Sequence, residues 1–409
     1  MNKFLTEFKE RGFFYQCTGE DDLSRLLDKE KINAYIGFDC TAESLHVGSL
    51  LQIMCLKLLQ KHGHRPIVLL GGGTTRIGDP SGKDKTRTIL SEAEIEKNIK
   101  NIEKILKNFL DDKDPNTKPI FVNNYTWLKN LNYISFLSDI GKHFTINKML
   151  SFDSVKTRLE REQSLSYMEF NYMILQAYDF LELNQKENCK LQIGGSDQWG
   201  NIVNGVDLIK RYASNHVYGL TTPLITLASG AKMGKTETGA VWLDKKFLSA
   251  YDYWQFWRNV DDRDVLKFIK IFTDINVDEI EKIKNNNINE LKILLANRAT
   301  TMLHGELEAK KSEETAKQTF TDNSLGDNLP SISIDKKHLK NKMTLIELIF
   351  FSKLENSKSE IRRLIKGNGI KINNQVIIDE KLIITKDLFK DGLIKLSLGK
   401  KRHLKVELS

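Results

Sequence analysis

Cysteine is scarce in this sequence, and the residues present form no pair motif. Cys17, Cys40, Cys55 and Cys189 are scattered over 409 residues, and no two of them make a C-x-x-C motif. Neither a disulfide framework nor a cysteine-bound zinc site is supported, which fits a reducing cytoplasm.

Long apolar runs are absent as well. No stretch approaches the roughly 20 apolar residues needed to cross a bilayer. The first residues, MNKFLTEFKERGFF, alternate charged with apolar side chains. They predict a surface helix and not a secretory signal. Because 409 residues exceed one ordinary core, we expect two or three domains of a cytoplasmic globular protein.

The basic excess of the chain lies in residues 331–409. They contain 18 Lys and Arg against 9 Asp and Glu, a net charge of +9, so the remaining residues carry −1 of the total of +8. A neutral body with a basic appendage favours a nucleic-acid partner for the appendage. A solvated, lysine-rich surface is the alternative that charge alone leaves open.

The common nucleotide-binding fingerprints are missing, but another phosphate-binding pattern is present. The sequence has neither G-x-x-x-x-G-K-[ST] nor a G-x-G-x-x-G after its first strand. Residues 34–61 instead predict a buried strand, a polar loop and a helix that begins next to His46-Val47-Gly48. A helix N-terminus attracts anions through its dipole and its free N–H groups. The pattern suggests a nucleotide phosphate held near a small polar substrate.

Strand, glycine loop and helix recur along the first half of the chain. PIVLL (66–70) runs into three glycines, and KLQI (190–193) runs into GGSDQWGN (194–201). Continuous apolar strands are typical of a parallel sheet that is covered on both faces. The sequence therefore predicts an α/β fold with a Rossmann-like, doubly wound parallel sheet, in which ligands bind at the carboxyl ends of the strands.

The domain bounds follow from changes of composition. We expect a Rossmann-like domain over 1–225 with a helical insertion at about 85–165, a mobile glycine-punctuated loop over 226–245, an α-helical domain over 246–325, a linker over 326–340 and a small α+β domain over 341–409. In the last of these, GNGIKINNQVIID predicts two strands joined by an Asn-Asn turn.

One predicted helix has a polar stripe on an apolar surface. In SYMEFNYMILQAYDF (166–180), Tyr172, Gln176 and Asp179 fall at positions i, i+4 and i+7, on one face. Buried carboxylates and amides need hydrogen-bond partners. A small polar substrate is one candidate partner, and a polar network within the protein or a water-filled cleft is the other.

Two glycine-containing loops carry further candidates. Asp79 lies in GGGTTRIGDPSGK (71–83), where backbone can approach a ligand closely, although Asp-Pro-Ser-Gly is also good β-turn sequence. Lys232 and Lys235 lie in SGAKMGKTETGA (229–240). Lysines on such a loop can fold over a triphosphate, or they can be ordinary solvated side chains.

Together these segments resemble one enzyme family. The two signature motifs of class I aminoacyl-tRNA synthetases are similar to His46-Val47-Gly48-Ser49 and Lys232-Met233-Gly234-Lys235-Thr236. The strand YIGFD (35–39), the polar stripe and GGSDQWGN narrow the resemblance to the bacterial-type tyrosyl branch. The tail SKLENSKSEIRRLIKGNGIKINNQVI resembles the small alpha-L RNA-binding module of those enzymes, which also occurs in a ribosomal small-subunit protein. The match spans nearly the whole chain.

The resemblance implies a role for each matching residue. Around the substrate tyrosine, Tyr35 and Asp179 would meet the phenolic hydroxyl, Asp79, Tyr172 and Gln176 would hold the ammonium group, and Asn124 and Gln198 would line the same pocket. The implied ATP contacts are Gly37, Asp39, Thr41, His46, Gly48, Gly195, Asp197 and Lys235. The implied catalytic residues are Thr41, His46, Lys232, Lys235 and Thr236, and no protein metal ligand is implied.

The sequence departs from the family at a few positions. Ser49 stands where the first signature has its second histidine, and Cys40 stands where proline is usual, so the loop before Thr41 is expected to be less rigid. Gly234 and Thr236 replace two serines of the second signature. These changes bear on nucleotide affinity more than on activity.

The implied reaction has two steps and no organic cofactor. The carboxylate of L-tyrosine attacks the α-phosphate of ATP, and the 3′-terminal adenosine of tRNA(Tyr) then takes the tyrosyl group. The nucleophile is already ionised at neutral pH, so no general base is needed. Mg²⁺ is expected on the triphosphate, bound mainly through phosphate oxygens. The family also implies a homodimer that pairs through the helical insertion, without a membrane partner.

Two rival functions share parts of this pattern. A tryptophanyl-tRNA synthetase has the same fold and signatures, but the Tyr35/Asp179 pair and the alpha-L-type tail argue against it. An RNA-binding protein that kept the fold and lost catalysis, as in some splicing cofactors, would have no use for His46, Asp79, Lys232 and Lys235 together. Pyrophosphate exchange with tyrosine, with tryptophan and with no amino acid separates the three.

Overall fold

The computed structural model describes residues 2–81, 90–231, 233–236, 239–321, 329–340, 342–390, 392–399 and 402–408. Within these residues no helix is long and apolar enough to span a bilayer. The chain forms two compact units. The first contains residues 1–234, 242–244 and 261–291, and the second contains residues 235–241, 245–260 and 292–409. The predicted α-helical domain, 246–325, therefore contributes to both units.

The helices and strands are numbered in chain order. The helices are α1 (Lys3–Glu10), α2 (Glu20–Lys29), α3 (Leu50–Lys61), α4 (Glu92–Phe109), α5 (Tyr125–Leu128), α6 (Tyr133–Asp139), α7 (Ile146–Leu150), α8 (Asp153–Glu160), α9 (Tyr167–Glu187), α10 (Trp199–Ala213), α11 (Ala250–Arg258), α12 (Val265–Phe272), α13 (Val277–Ile283), α14 (Ile288–His304), α15 (Glu306–Thr321), α16 (Lys336–Lys340), α17 (Leu345–Phe351) and α18 (Lys358–Lys366). The strands are β1 (Gln16–Cys17), β2 (Asn33–Phe38), β3 (Arg65–Leu70), β4 (Ile120–Asn123), β5 (Cys189–Gly195), β6 (Tyr218–Thr222), β7 (Lys235–Thr236), β8 (Gly239–Ala240), β9 (Ser331–Ile334), β10 (Ile370–Ile372), β11 (Gln375–Val376), β12 (Leu393–Leu398) and β13 (Arg402–Leu408).

A six-stranded sheet with the order β1-β6-β5-β2-β3-β4 forms the centre of the first unit. The strands from β2 to β6 pair in parallel, and the two-residue β1 pairs antiparallel with β6. The chain builds outward from β2 through β3 to β4 on one side, and from β5 to β6 on the other. The predicted Rossmann-like parallel sheet is confirmed, and its strand order reverses between β2 and β5, where ligands bind in such folds.

The helix with the predicted polar stripe, α9, is well delimited by its own sequence. Ser166 and Glu169 form a capping box at its start, and Asn188 ends it in the left-handed conformation with φ of 49°. The helix is longer than the predicted 166–180, because its apolar face continues to pack on the sheet as far as Leu183. This places the stripe on a rigid element.

One strand of the sheet was not predicted. The helical insertion predicted at about 85–165 contains β4, which pairs in parallel with β3 at the edge of the sheet. Its residues are only half-buried, so the strand lacks the continuous apolar run that identifies β3 and β5. Of the predicted insertion, residues 85–89 lie outside the described part of the chain.

The second unit contains one assembly of helices and one assembly of a sheet with helices. Trp254 of α11 donates from Nε1 to Asn297 Oδ1 of α14 at 2.7 Å, and Asn297 donates to Glu313 of α15 at 2.6 Å. Further along the chain, a five-stranded sheet has the order β11-β10-β12-β13-β9 and shares an apolar core with α17 and α18. The predicted Asn-Asn turn is present, with both asparagines at positive φ.

The predicted linker over 326–340 is wrong in its central part. Residues 331–334 form β9, which pairs in parallel with β13, and Ile334 is fully buried. The alternation of serine and isoleucine in SISI is the pattern of an edge strand, but its partner lies about 70 residues later in the sequence. The small domain therefore begins before β9, and not at residue 341.

Candidate active site

A cavity of about 330 Å³ opens at the carboxyl ends of β2 and β5, where the strand order reverses. Most of the predicted site residues line it, namely Tyr35, Gly37, Asp39, Gly48, Asp79, Tyr172, Gln176, Asp179, Gly195, Asp197 and Gln198. All of them belong to the first unit. The stripe on α9 therefore faces a cleft large enough for a small polar ligand.

One end of the cavity, which we call the hydroxyl end, combines Tyr35 of β2 with Asp179 of α9. Their side chains are 1% and 2% exposed. Asp179 accepts hydrogen bonds from Asn124 Nδ2 at 2.9 Å and from Trp127 Nε1 at 2.7 Å. Burial raises the pKa of Asp179 to about 7, although the two donors act to lower it. Near neutral pH this carboxyl group is present in both its protonated and its ionised form, so it can both donate and accept a hydrogen bond.

The hydroxyl of Tyr35 is buried and has no hydrogen-bond partner among the described residues. Burial, and secondarily the nearby Asp179, raises the pKa of Tyr35 well above its ordinary value, so the hydroxyl stays neutral. A buried polar group without a partner costs about 1–3 kcal/mol. A ligand hydroxyl placed at this end of the cavity would supply the missing partner.

Asp39 connects the hydroxyl end with the rest of the cavity. Its Oδ1 accepts from Thr74 Oγ1 at 2.9 Å, and Thr74 Oγ1 accepts from Asn124 Nδ2 at 3.0 Å. Its Oδ2 accepts from Tyr172 Oη at 3.1 Å. Because Tyr172 uses its hydroxyl proton toward Asp39, its oxygen can act only as an acceptor toward a ligand. An ammonium group is such a donor.

A second part of the cavity, which we call the amine end, holds a chain of amides and a carboxylate. Gln198 Nε2 donates to Asp79 Oδ2 at 2.8 Å, and the other carboxylate oxygen of Asp79 accepts from Ser81 N at 2.9 Å. Asn201 Nδ2 donates to Gln176 Oε1 at 3.1 Å and to Gln198 Oε1 at 3.0 Å. Carboxylate, amide and phenol oxygens thus converge here, which suits a cationic ligand group.

His46 caps the turn at the start of α3. Its Nδ1 accepts from Gly48 N at 3.0 Å, and its carbonyl accepts from Ser49 N at 2.8 Å. These two backbone N–H groups are used within the turn and do not face a ligand, contrary to the expectation of free N–H groups at this helix. With Nδ1 as the acceptor, the ring proton lies on Nε2, and that N–H is the donor that a phosphate oxygen requires.

Two glycines around the site leave no room for a side chain. A Cβ at Gly71 would collide with the Asp39 carboxylate and with Thr74 Oγ1 at 2.6 Å. Gly234 has φ of 104°, and a Cβ there would lie 2.7 Å from His46 Nδ1. Glycine in the second signature, in place of the usual serine, therefore allows this segment to adopt a left-handed backbone against His46.

The departure at Cys40 gives the loop a backbone hydrogen bond. The backbone N–H of Cys40 donates to Thr75 Oγ1 at 2.8 Å, and its carbonyl accepts from Asn98 Nδ2 at 2.9 Å. A proline has no N–H to donate. Cysteine at this position therefore replaces the rigidity of the ring by a hydrogen bond that proline could not make. Ser49, the other departure, lines the cavity.

Several predicted residues do not line the cavity. Asn124 is fully buried behind Asp179 and supports that carboxylate. Thr41 is exposed, and His46 lies beside Gly48 and Gly234 at the mouth. Lys235 and Thr236 form β7 in the second unit, and Lys232 lies outside the described residues. The roles that the resemblance implies for these residues stay predictions.

Other residues of the site were not predicted. Thr74 and Gln192 line the cavity, and Trp127 and Asn201 hold its ligand-facing groups in place. Trp127 and Asn124 follow β4, so identifying that strand would have placed both at the edge where ligands bind. Asn201 closes the GGSDQWGN segment, but the sequence indicated no role for it, because its partners are 25 and 3 residues away on different elements. Within the described residues, no group of three His, Cys, Asp or Glu side chains is placed to hold a metal ion.

Comparison with known proteins agrees with this geometry. Residues 27–321 match the family described as tRNA synthetases class I (W and Y). The chain is 85% identical to the tyrosine–tRNA ligase of Pelagibacter ubique (strain HTCC1062) over 408 residues, which cover both chains completely, and 51% identical to that of Agrobacterium fabrum over 98% of each chain. Among solved structures, a C-terminally truncated mitochondrial tyrosyl-tRNA synthetase of Aspergillus nidulans superimposes with a TM-score of 0.70 at 30% identity, covering 78% of this chain and 94% of that one.

The two signatures, the parallel sheet and the full-length similarity all lead to one assignment. The family match covers every residue that lines the cavity, from Tyr35 of β2 to Leu224. The chain therefore belongs to the class I tRNA synthetases, and within them to the bacterial-type tyrosyl-tRNA synthetases.

Proposed function

We propose that this protein is a tyrosine–tRNA ligase, which activates L-tyrosine with ATP to tyrosyl-adenylate and transfers the tyrosyl group to the 3′-terminal adenosine of tRNA(Tyr). The observation that carries the proposal is the hydroxyl end of the cavity. There, a neutral Tyr35 hydroxyl without a partner lies near an Asp179 carboxyl whose pKa is raised to about 7. This arrangement suits the phenol of tyrosine. Phenylalanine has no hydroxyl and would leave both protein groups without a partner.

The first step requires positioning more than acid–base chemistry. The tyrosine carboxylate is ionised at neutral pH and attacks the α-phosphate directly. The amine end orients the substrate by its ammonium group, through Asp79, Tyr172 and Gln176. His46 donates from Nε2 to the phosphates, Lys232 and Lys235 neutralise charge on the leaving pyrophosphate, and Thr236 offers it a hydroxyl donor. The lysine and threonine roles rest on the resemblance of the second signature.

ATP enters this reaction as its magnesium complex. The carboxylates of Asp39 and Asp79 already accept hydrogen bonds from the protein. We therefore expect phosphate oxygens of ATP, and not these carboxylates, to be the main ligands of the ion. When bound, the ion would neutralise part of the triphosphate charge. The compartment that we propose is the cytoplasm, where the thiols of Cys40, Cys55 and Cys189 stay buried and reduced.

One assay tests the amino-acid assignment. The purified protein is incubated with ATP, labelled pyrophosphate and either tyrosine, tryptophan, phenylalanine or no amino acid. We expect exchange that depends on tyrosine. Exchange that depends on tryptophan would favour the tryptophanyl branch, and no exchange with any amino acid would favour a binding protein that has lost catalysis.

The protein is proposed to work as a homodimer. Apolar side chains of the segment 133–168 are exposed on the first unit, namely Tyr133, Ile134, Leu137, Ile146, Leu150, Leu159, Tyr167 and Met168. Some of them border a groove of about 460 Å³. A contiguous exposed apolar surface marks an interface, and a second copy of the chain is the occupant that the family implies. Light scattering should give the mass of a dimer, and Ile134→Lys together with Tyr167→Lys should shift it to that of the monomer.

The small C-terminal domain is proposed to bind tRNA. Its helix α18 exposes Arg362, Arg363 and Lys366, whose side chains are 51% to 80% accessible. Because β9 belongs to this domain, a cut that removes it cleanly must fall before Leu329. A chain that ends at Thr321 should keep tyrosine-dependent pyrophosphate exchange and lose tRNA charging. Charging at the full-length rate by that shortened chain would contradict the RNA-binding role.

A further inference from the structure

Asn201 lies in the first turn of α10, behind the amine end of the cavity. It is 4% exposed and is not part of the cavity wall. Its single amide nitrogen donates both of its protons, one to Gln176 Oε1 at 3.1 Å and one to Gln198 Oε1 at 3.0 Å. We propose that Asn201 is a positioning residue for amino-acid activation, which fixes the orientation of two substrate-facing glutamines. The inference rests on the proposed function of the cavity.

The orientation of a glutamine amide decides what the group offers to a ligand. The oxygen and nitrogen ends have nearly the same shape, so a 180° rotation exchanges an acceptor for two donors. Asn201 Nδ2 can only donate hydrogen bonds, so the atoms that lie within hydrogen-bond distance of it must be acceptor oxygens. A rotated Gln176 would bring N–H against N–H. Gln176 Oε1 thus stays at this position, and its second lone pair can accept from an ammonium group.

The same contact reaches Asp79 through Gln198. With Gln198 Oε1 held by Asn201, Gln198 Nε2 is turned toward Asp79 Oδ2, to which it donates at 2.8 Å. Ser81 N holds the other oxygen of Asp79 at 2.9 Å. One buried residue that does not touch the cavity therefore sets three groups that do.

Asn204 supplies a matched control on the same helix. It lies one turn after Asn201 and is 3% exposed, so it has the same side chain and nearly the same burial. Its Nδ2 has no hydrogen-bond partner among the described residues, and it does not line the cavity. Substitutions at Asn204 therefore measure what the loss of a buried asparagine from α10 does to stability without altering either glutamine.

The test compares alanine and aspartate at the two positions by pyrophosphate exchange. For Asn201→Ala we expect the KM for tyrosine to rise roughly 10-fold, because both glutamines lose the partner that orients them toward the substrate, with the KM for ATP changed less than about twofold. Asn201→Asp should be worse, since a carboxylate repels both glutamine oxygens and turns both amides around. Its defect should shrink at lower pH, where protonation restores one donor. Asn204→Ala and Asn204→Asp should leave the KM for tyrosine unchanged.

A coupling measurement separates positioning from general damage. If Asn201 acts through Gln176, then Asn201→Ala should raise the KM for tyrosine much less in a Gln176→Ala background than in the unaltered protein. Should Asn201→Ala fold poorly, Asn201→Ser keeps one donor and should give an intermediate KM.

Three results would overturn the inference. The first is an unchanged KM for tyrosine in Asn201→Ala, and the second is an equal rise of that KM in Asn204→Ala. The third is that Asn201→Ala raises the KM by the same factor in the Gln176→Ala background as in the unaltered protein. Each of these leaves the proposed function intact, provided that the unaltered protein catalyses exchange with tyrosine. Absence of that exchange would overturn the proposed function, and this inference with it.

Discussion

The two ends of the cavity handle their polar groups in opposite ways. At the amine end, Asp79, Gln198 and Asn201 satisfy one another, so the site is assembled before a ligand arrives. At the hydroxyl end, Tyr35 Oη has no partner among the described residues, and burial opposes the ionisation of Asp179. The amine end is therefore preorganised, while the hydroxyl end retains an energetic penalty that a phenolic ligand relieves. Selectivity between tyrosine and phenylalanine should come from the hydroxyl end, and alignment for attack from the amine end.

The largest expected effect comes from removing the carboxyl group of the hydroxyl end. Asp179→Ala leaves Asn124 Nδ2 and Trp127 Nε1 without their acceptor and deletes a partner of the substrate phenol. We expect kcat/KM for tyrosine in pyrophosphate exchange to fall by about 100-fold or more, from the loss of two to three hydrogen bonds to a buried carboxyl group. The KM for ATP should change little. A similar loss in both parameters would indicate a folding defect instead.

The second effect concerns stability and pH. The pKa of Asp179 in the folded chain, about 7, lies above its ordinary value because of burial. The unfolded chain loses this proton at lower pH than the folded chain does. The contribution of Asp179 to the free energy of unfolding is therefore complete only below the ordinary pKa of 3.8, declines as the pH rises between the two pKa values, and is lost above about 7.

Asp179→Asn removes this titration and provides the measurement. Relative to its own value at pH 5, the thermal midpoint of the variant should fall less between pH 5 and pH 7.5 than that of the unaltered protein. Asparagine can accept from only one of the two donors, so the substitution also changes the thermal midpoint at every pH. The readout is therefore the pH dependence of the midpoint and not its absolute value. Parallel pH profiles for the two proteins would contradict the raised pKa.

The smallest effect is expected at Tyr35. Tyr35→Phe removes the unpartnered hydroxyl, so the free protein should be no less stable and its thermal midpoint should be equal or higher. The KM for tyrosine should rise roughly 5- to 10-fold, the value of about one hydrogen bond. The preference for tyrosine over phenylalanine should fall by the same factor. A loss of stability without a loss of preference would place Tyr35 in the core and not in recognition.

Local patterns predicted the elements that are defined by their own residues. The β2–α3–β3 unit and the stripe on α9 are visible in the sequence, because apolar runs and helical spacing report burial directly. β4 and β9 escaped prediction because each is short and half-exposed, and its pairing partner is distant in sequence. The same reason hid the roles of Asn201 and Trp127. Their importance lies in contacts across elements. Asp179 was identified from the spacing of the stripe, while its role and that of Tyr35 came from a family resemblance.

The parallel pairing of β9 with β13 has a consequence for synthesis of the chain. In the order β12-β13-β9, the first strand of the small domain to leave the ribosome can pair only with a strand made about 70 residues later. The backbone of β9 lacks its pairing partner until residues 402–408 have emerged. The Rossmann-like unit can complete its sheet at residue 222, while the ribosome is still translating. The domain proposed to hold tRNA thus becomes competent last, so a partly synthesised chain should be able to acquire a catalytic sheet but no tRNA-binding domain.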